Sequence, residues 1–363
     1  MRKRGTVSTL QLLAATAFVP LLASAQSGAP PVRSIDIYGS SVFDSAAIRA
    51  EFGPDIMRFV ELGWQAGFGG PEPPPNAEQL EASMEATNSK IRSALEARAP
   101  LAYFNLGVTL DFGPPQQVDV SIDVVEKIDE ARRMPFRAAP TQDLADPGGA
   151  LALWTEYQQK MWELALAGAP MTVDDSNCSV LHCVAPFDLP ELAPYLPRLN
   201  AAAERHEDAL YAVASDSADA EERATALFVL AHTNDAQRLT PLLSRAIYDP
   251  NGGVRNNAMR VLMFLAQRRP DVDFPIRDLV AALDFPSDAD RNKAAYTVSG
   301  LADQPRYRDV IRADAVPAAL RLLRLEKPNN HDPAYEILKQ VSGEAFGERD
   351  YAAWERWAAT RTR

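Results

Sequence analysis

The feature that most constrains this chain is a repeat in its C-terminal portion. From about residue 218 the stretches AEERATALFVLA, VRNNAMRVLMFLA and DRNKAAYTVSGLA can be laid over one another. Leu230-Ala231, Leu265-Ala266 and Leu301-Ala302 fall in register at intervals of 35 and 36 residues. Ala226, Val261 and Thr297 share a column, as do Leu227, Leu262 and Val298. Arg255 and Arg291 share a third, where Ala220 stands in the first copy. Each copy is followed by a second helical stretch: LTPLLSRAIYD, PIRDLVAALD and AVPAALRLLRL. A fainter fourth copy, PAYEILKQVSG, puts Val341 40 residues after Leu301. Periods of this length belong to stacked helix pairs, because one pair cannot bury both of its apolar faces and must be covered by the next. Residues 218–363 are therefore expected to form an all-α right-handed solenoid of helix pairs, with Ala258 and Ala294 at equivalent seam positions.

The front of the chain has a different rhythm. In VRSIDIYGS, residues 32–40, Arg33, Ile35 and Ile37 alternate with Ser34, Asp36 and Tyr38, the pattern of a half-buried strand, and Gly39 can turn left-handed at its end. Asp44 or Ser45 can cap a short helix that places Ile48 and Phe52 inward. After a Gly- and Pro-rich loop (GFGGPEPPP, 67–75), Asn76 opens a longer helix, with Gln79 suggesting a capping box and Leu80, Met84, Ile91 and Leu95 as its apolar stripe. Leu106, Val108, Leu110 and Phe112 then alternate with polar residues, GPP (113–115) turns the chain, and Val118, Val120, Ile122 and Val124 point inward with Asp119, Ser121 and Asp123 outward. The order β-α-α-β-β implies a small α+β domain, a three-stranded sheet with two helices on its apolar face.

These residues resemble known families. VRSIDIYGSSVFDSAAIRAEFG is similar to the opening of a POTRA domain, and YFNLGVTLDFGPPQQVDVSIDVVEKID to its closing hairpin, with Val124 and Glu126 in the V-x-E ending. The likeness spans 32–129. Gly63–Pro75 departs from it as an insertion, and nothing after residue 130 reads as the membrane barrel that usually follows. The resemblance implies that the first strand pairs beside the third and that Leu106, Gly107, Val108, Thr109, Leu110, Asp111 and Phe112 lie at the sheet edge, a candidate docking edge for an extended polypeptide. The repeats resemble short HEAT-like, armadillo-type repeats, a pattern shared with phycobilin lyases and many binding proteins. Asp288 to Arg291 carries the Asp-x-x-Arg of that pattern, and FGERDYAAWERWAA its aromatic cap with Trp354 and Trp357. No catalytic residue can be carried over.

Residues 1–25 read as a cleavable export signal: Arg2, Lys3 and Arg4, the apolar LQLLAATAFVPLLA, then Ala23-Ser24-Ala25. The expected location is the periplasm. The formal net charge of −12 becomes −15 without that segment, and all of it lies in residues 26–217, whereas 218–363 is balanced. Such acidity disfavours nucleic acid and anionic lipid. Residues 130–149 read as a linker and 150–217 as a helical connector. The connector has an apolar stripe through Leu153, Tyr157, Met161 and Leu164, Trp154 and Trp162 two turns apart, and a helix from Pro197 to Ala214. Cys178 and Cys183 suit a disulfide in an oxidising compartment, although His182 with Asp174 or Asp175 could complete a metal site. Nothing matches HExxH, GxSxG, a P-loop or GxGxxG after a strand, and His206 within RHED reads as a solvated helix surface. The expectation is a non-enzymatic envelope adaptor or scaffold, without cofactor or metal, that binds a protein partner such as an extended polypeptide or an envelope-assembly component. An accessory subunit of an envelope enzyme or protease is the alternative. Neither nucleic-acid binding nor stable membrane insertion is expected.

Overall fold

The computed structural model describes residues 28–67, 74–111, 115–173, 178–269 and 271–360. The expected export signal, Phe112, most of the Gly/Pro-rich loop, and Asp174 and Asp175 lie outside them. The chain divides into two compact units that meet in sequence between Glu130 and Ala131.

The first unit runs β1 (Val32–Tyr38), α1 (Ser45–Gln65), α2 (Ala77–Glu96), β2 (Leu101–Asp111) and β3 (Gln117–Glu126). The strand order is β1-β3-β2, with β1 parallel and β2 antiparallel to β3. Ile35, Ile37, Val118, Val120, Ile122, Val124 and Leu106 form one face and meet Ile48, Phe52, Ile56, Phe59, Met84, Ile91 and Leu95 of the two helices. Gly39 ends β1 at φ +89°, where a side chain would be strained. Asp44 caps α1 by accepting from the Ala47 amide at 2.8 Å.

Four local expectations change here. Helix α1 is not short: it continues through Gly53 and Pro54 for 21 residues, because Ile56, Phe59 and Val60 carry its buried stripe onward. Asn76 precedes α2 without a side-chain cap. Arg33 does not lie with Ile35 and Ile37. Between Val32 and Ser34 the register slips against Val118 and Asp119, a bulge that leaves Arg33 to reach Asp119 (Nε–Oδ1 2.9 Å, Nη2–Oδ2 2.5 Å) and Asp111 (2.8 Å). The face expected to be solvated is buried instead. Asp119, Ser121 and Asp123 are at most 5% exposed, and Asp119 is neutralised by Arg33 and by the Ser34 hydroxyl at 2.7 Å.

The second unit is helical. A single turn, α3 (Glu130–Arg133), spans the boundary, followed by α4 (Ala150–Leu166), α5 (Tyr195–Arg205), α6 (Glu207–Asp216), α7 (Ala220–Leu230), α8 (Ala236–Ala246), α9 (Gly252–Arg268), α10 (Ile276–Ala282), α11 (Asp288–Leu301), α12 (Pro305–Val310), α13 (Val316–Leu323), α14 (Pro328–Ser342) and α15 (Tyr351–Ala359). Helices α7, α9, α11 and α14 stack in one layer, each packed on its neighbour, and α8, α10 and α13 pair with α9, α11 and α14 from the second layer. Ala226, Ala258 and Ala294 are fully buried between helices, and Leu227, Leu230, Leu262, Val298 and Leu301 fill the shared seam. Trp354 is buried against Tyr335 and Phe346 and closes the stack.

The first copy sits three residues away from its expected register. Helix caps place Arg223, not Ala220, with Arg255 and Arg291, at intervals of 32 and 36 residues. A slip of three is close to one helical turn and leaves the apolar side pointing inward, so periodicity alone cannot detect it. The helix expected from Pro197 to Ala214 is two, broken at His206 (φ −117°, ψ 20°). Helix α6 pairs with α7 as α8 does with α9, so the stack begins before residue 218. In α4 Tyr157 and Met161 of the expected stripe are buried, but Leu151, Trp154 and Ala165 complete it in place of the half-buried Leu153 and Leu164, and Trp162 is 39% exposed.

Because Ala258 and Ala294 have no exposed surface, glutamate at either would overpack the seam and bury an unpaired carboxylate. Each substitution should lower the unfolding free energy of the helical unit by about 3 kcal/mol or more in urea titrations. Unchanged midpoints for both would refute this register.

Candidate functional site

One edge of the array is built by a repeated basic residue. Arg223, Arg255 and Arg291 each stand at the fourth position of their helix, after the caps Asp219, Asn251 and Ser287. In each, Nη1 donates to the carbonyls six and five residues upstream: Ser217 and Ala218 (2.8 and 3.3 Å), Asp249 and Pro250 (2.9 and 3.2 Å), Phe285 and Pro286 (3.0 and 2.6 Å). His331 holds the same place in α14, with Nδ1 2.8 Å from the Leu323 carbonyl oxygen. Two rungs are also ion-paired across repeats. Arg223 forks onto Asp249 (2.9 and 2.7 Å) and Arg255 reaches Asp290 (2.8 Å), all at most 6% exposed. Lys327 and Asn330 hold Asp288 in the same way.

Residues 131–142, expected to be part of a linker, lie along this edge. Gln142 N–H donates to the Asp216 carbonyl (3.2 Å), Arg137 N–H to that of Tyr248 (2.8 Å), and Arg133 Nε to that of Asp284 (2.9 Å). Asp216, Tyr248 and Asp284 are separated by the same 32 and 36 residues as the arginines, so they are one position in three successive repeats. The strap thus crosses three repeats, running opposite to the array. Gln142 also accepts from the Ala218 amide. The Phe136 ring meets Phe285 edge-on at 5.3 Å and lies 3.9 Å from the Arg255 guanidinium. Arg133 is buried, and Arg132 pairs with the Asp284 carboxylate. Pro135 and Pro140 suit the strap because they favour extended backbone before them and carry no N–H to satisfy. Nothing in the repeat pattern signals this segment; its prolines and its Arg-Phe-Arg cluster are the only cues.

The outer face of α7 and α9 carries a second non-helical segment. Cys178 and Cys183 are bonded, with Cα atoms 5.8 Å apart. The Leu181 amide donates to the Ala231 carbonyl (3.0 Å), and Arg268 donates to the carbonyls of Val180 (3.1 Å) and Cys178. His182 is wedged between Phe264 (ring centroids 4.4 Å) and Phe228 (5.2 Å). Burial, reinforced by the Arg260 charge, holds its imidazole well below the usual range and therefore neutral. Burial pushes His232 down to about 4, and its Nδ1 lies 2.8 Å from Asn200. Among the described residues no group of three or more His, Cys, Asp and Glu side chains is placed to hold a metal ion. His206 is not a solvated helix surface; it sits at the helix break with its ring against Gly148, where even a Cβ would come within 2.2 Å.

The candidate docking strand β2 lies at an edge of the sheet. Leu106 is in the core and Val108 and Leu110 pack against it. Gly107 leaves little room, since a Cβ there would lie 3.2 Å from the Asn105 side chain, and Thr109 is buried and engaged. The helical unit, where two non-helical segments are already held, is the better-supported surface.

No protein-family model matches this sequence and no curated protein is detectably similar to it. Among solved structures the chain is similar to a designed armadillo repeat protein in complex with the peptide (KR)4, at 17% identity and a TM-score of 0.34, covering 48% of this chain and 84% of that one. A second designed armadillo repeat protein aligns at 16% identity and 0.35, covering 54% and 92%. Among the described residues no helix is long and apolar enough to cross a membrane.

If the strap is part of the fold, the amides of Arg137 and Gln142 should exchange with solvent as slowly as helical amides. Arg137→Pro, which deletes one donor, should cost about 1–3 kcal/mol of stability. Fast exchange at both positions and an unchanged melt would identify a loose linker instead.

Proposed function

We propose that this protein is a non-enzymatic scaffold that binds another protein through its helical array, acting in the periplasm after export. The single observation that carries the reading is the strap. The array already holds a stretch of polypeptide by hydrogen bonds to one carbonyl in each of three successive repeats, two donated by the main chain of Arg137 and Gln142 and one by the Arg133 side chain, so that most of the binding makes little demand on the bound sequence. In this reading the array is a right-handed solenoid of HEAT-like pairs. The first unit is POTRA-like, a reading supported by its β-α-α-β-β order with β3 central. The outer face of α9, α11 and α14, beyond the disulfide segment, is the surface offered to the partner, and Tyr296 stands on it 38% exposed.

A photo-crosslinking residue at Tyr296 in the full chain, expressed in its native cells, should yield one or a few discrete protein adducts in the periplasmic fraction. The same residue at Arg277 in α10, in the other layer, should yield none. Absence of adducts from Tyr296, or equal smears from both sites, would contradict the proposal.

A further inference from the structure

Residues 178–183 form a clasp on the outer side of α7 and α9, and one of its side chains is a buried histidine. Cys178 and Cys183 are bonded to each other and not to a helix, so the disulfide shapes the loop without fastening it. Val180 and the two cysteines pack together with Val173, Phe187 and Leu196. The hold on α7, α9 and the turn between α7 and α8 comes from other groups. The Leu181 amide donates to the Ala231 carbonyl (3.0 Å), Asn234 Nδ2 to that of Ser179 (3.2 Å), and Arg268 to those of Val180 (3.1 Å) and Cys178. His182 enters between Phe228 of α7 and Phe264 of α9, with ring centroids 5.2 and 4.4 Å away.

The His182 side chain is buried, and both ring nitrogens are sealed from solvent without a hydrogen-bond partner. A neutral imidazole already leaves one buried N–H unsatisfied there; an imidazolium would leave two, together with a charge. The charges that act on the ring are all of that same sign: Arg260 and Arg268 of α9, and His232 when it is protonated. His232, in the turn after α7, is different, since the Asn200 Oδ1 lies 2.8 Å from its Nδ1, with Trp154 and Phe187 beside it. His331 has the Leu323 and Leu325 carbonyl oxygens at Nδ1 (2.8 and 3.1 Å) and the Glu348 carboxylate 3.9 Å from Nε2. Among the described residues, His182 is thus the buried imidazole with no acceptor at either nitrogen. It is also the one carried on a loop that a few hydrogen bonds fasten to the helices.

We propose that the 178–183 clasp is an acid-released latch: protonation expels the His182 ring from between Phe228 and Phe264, the Leu181–Ala231 hydrogen bond breaks, and the disulfide-closed loop leaves α7 and α9 as one piece. Burial and the Arg260 charge hold the ring well below its ordinary value of 6.5 while the clasp is closed, and release restores that value. The closed form is therefore favoured above pH 6.5, and as the pH falls further the closed-to-open ratio drops by about tenfold per pH unit. Opening bares Phe228 and Phe264, which are buried under the clasp, beside the outer face of α9. A partner seated on that face would gain apolar surface in acid. This consequence rests on the proposed docking face, whereas the opening itself does not.

Amide hydrogen exchange of the full chain without a partner, followed by NMR from about pH 7.5 to about pH 5 and corrected for the intrinsic pH dependence of exchange, tests the latch. Below pH 6.5 the logarithm of the Leu181 protection factor should fall by about one per pH unit, the signature of one proton taken up per opening. Amides within α7 and α9 should keep their protection. In His182→Phe, which keeps an aromatic ring but cannot be protonated, Leu181 protection should be independent of pH. The wild-type slope decides even if that variant fails to fold. A slope near zero in the wild type, the same slope in folded His182→Phe, or an equal loss of protection throughout α7 and α9 would overturn the proposal.

Discussion

The helical unit depends on one basic side chain per repeat, placed at the fourth position of each first-layer helix. From there a guanidinium reaches back to the two carbonyls that end the preceding loop, and in two repeats forward to an aspartate of the next. Those carbonyls would otherwise be buried acceptors without donors, since the loop has left one helix and not yet entered the next. Buried ion pairs of this kind add little net stability over an apolar replacement, because desolvation offsets the attraction. Their contribution is register. Arg223 reaches Asp249 only if the loop before α9 is docked against α7, and Arg255 reaches Asp290 only if α11 is docked against α9.

The same edge positions the strap. Fixing the loops leaves Asp216, Tyr248 and Asp284 each presenting a carbonyl at equivalent places, and residues 133–142 satisfy all three. Phe136 then covers Arg255, so the strap shields the central rung of the ladder from solvent. The opposite side of the layer is organised differently. There the disulfide segment inserts His182 between two phenylalanines.

How far this was legible depends on whether side chains or backbone carry the information. The second, third and fourth repeats could be aligned because Arg255 and Arg291 recur, and Leu301 and Val341 lie as far apart as Arg291 and His331. The first could not, because a three-residue slip keeps Ala226, Leu227 and Leu230 facing inward; only pairing Arg223 with Arg255 resolves it. The strands of the first unit followed from alternation, but the burial of Asp119 did not. Its partner is Arg33, which faces it only because of a bulge that no periodicity reveals. The strap was hidden for a similar reason: its partners are carbonyls, which have no signature in sequence.

A double-mutant cycle on Arg223 and Asp249 tests the role of the ladder most directly, since both are at most 2% exposed and joined by two hydrogen bonds. Arg223→Met and Asp249→Asn singly should each cost about 3–5 kcal/mol in chemical unfolding, because each leaves a buried polar partner uncompensated. The double variant should recover much of that loss, with a coupling of about 2 kcal/mol or more. Additive losses with no coupling would contradict the account, because the arginine and the aspartate would then be buried side by side without depending on one another.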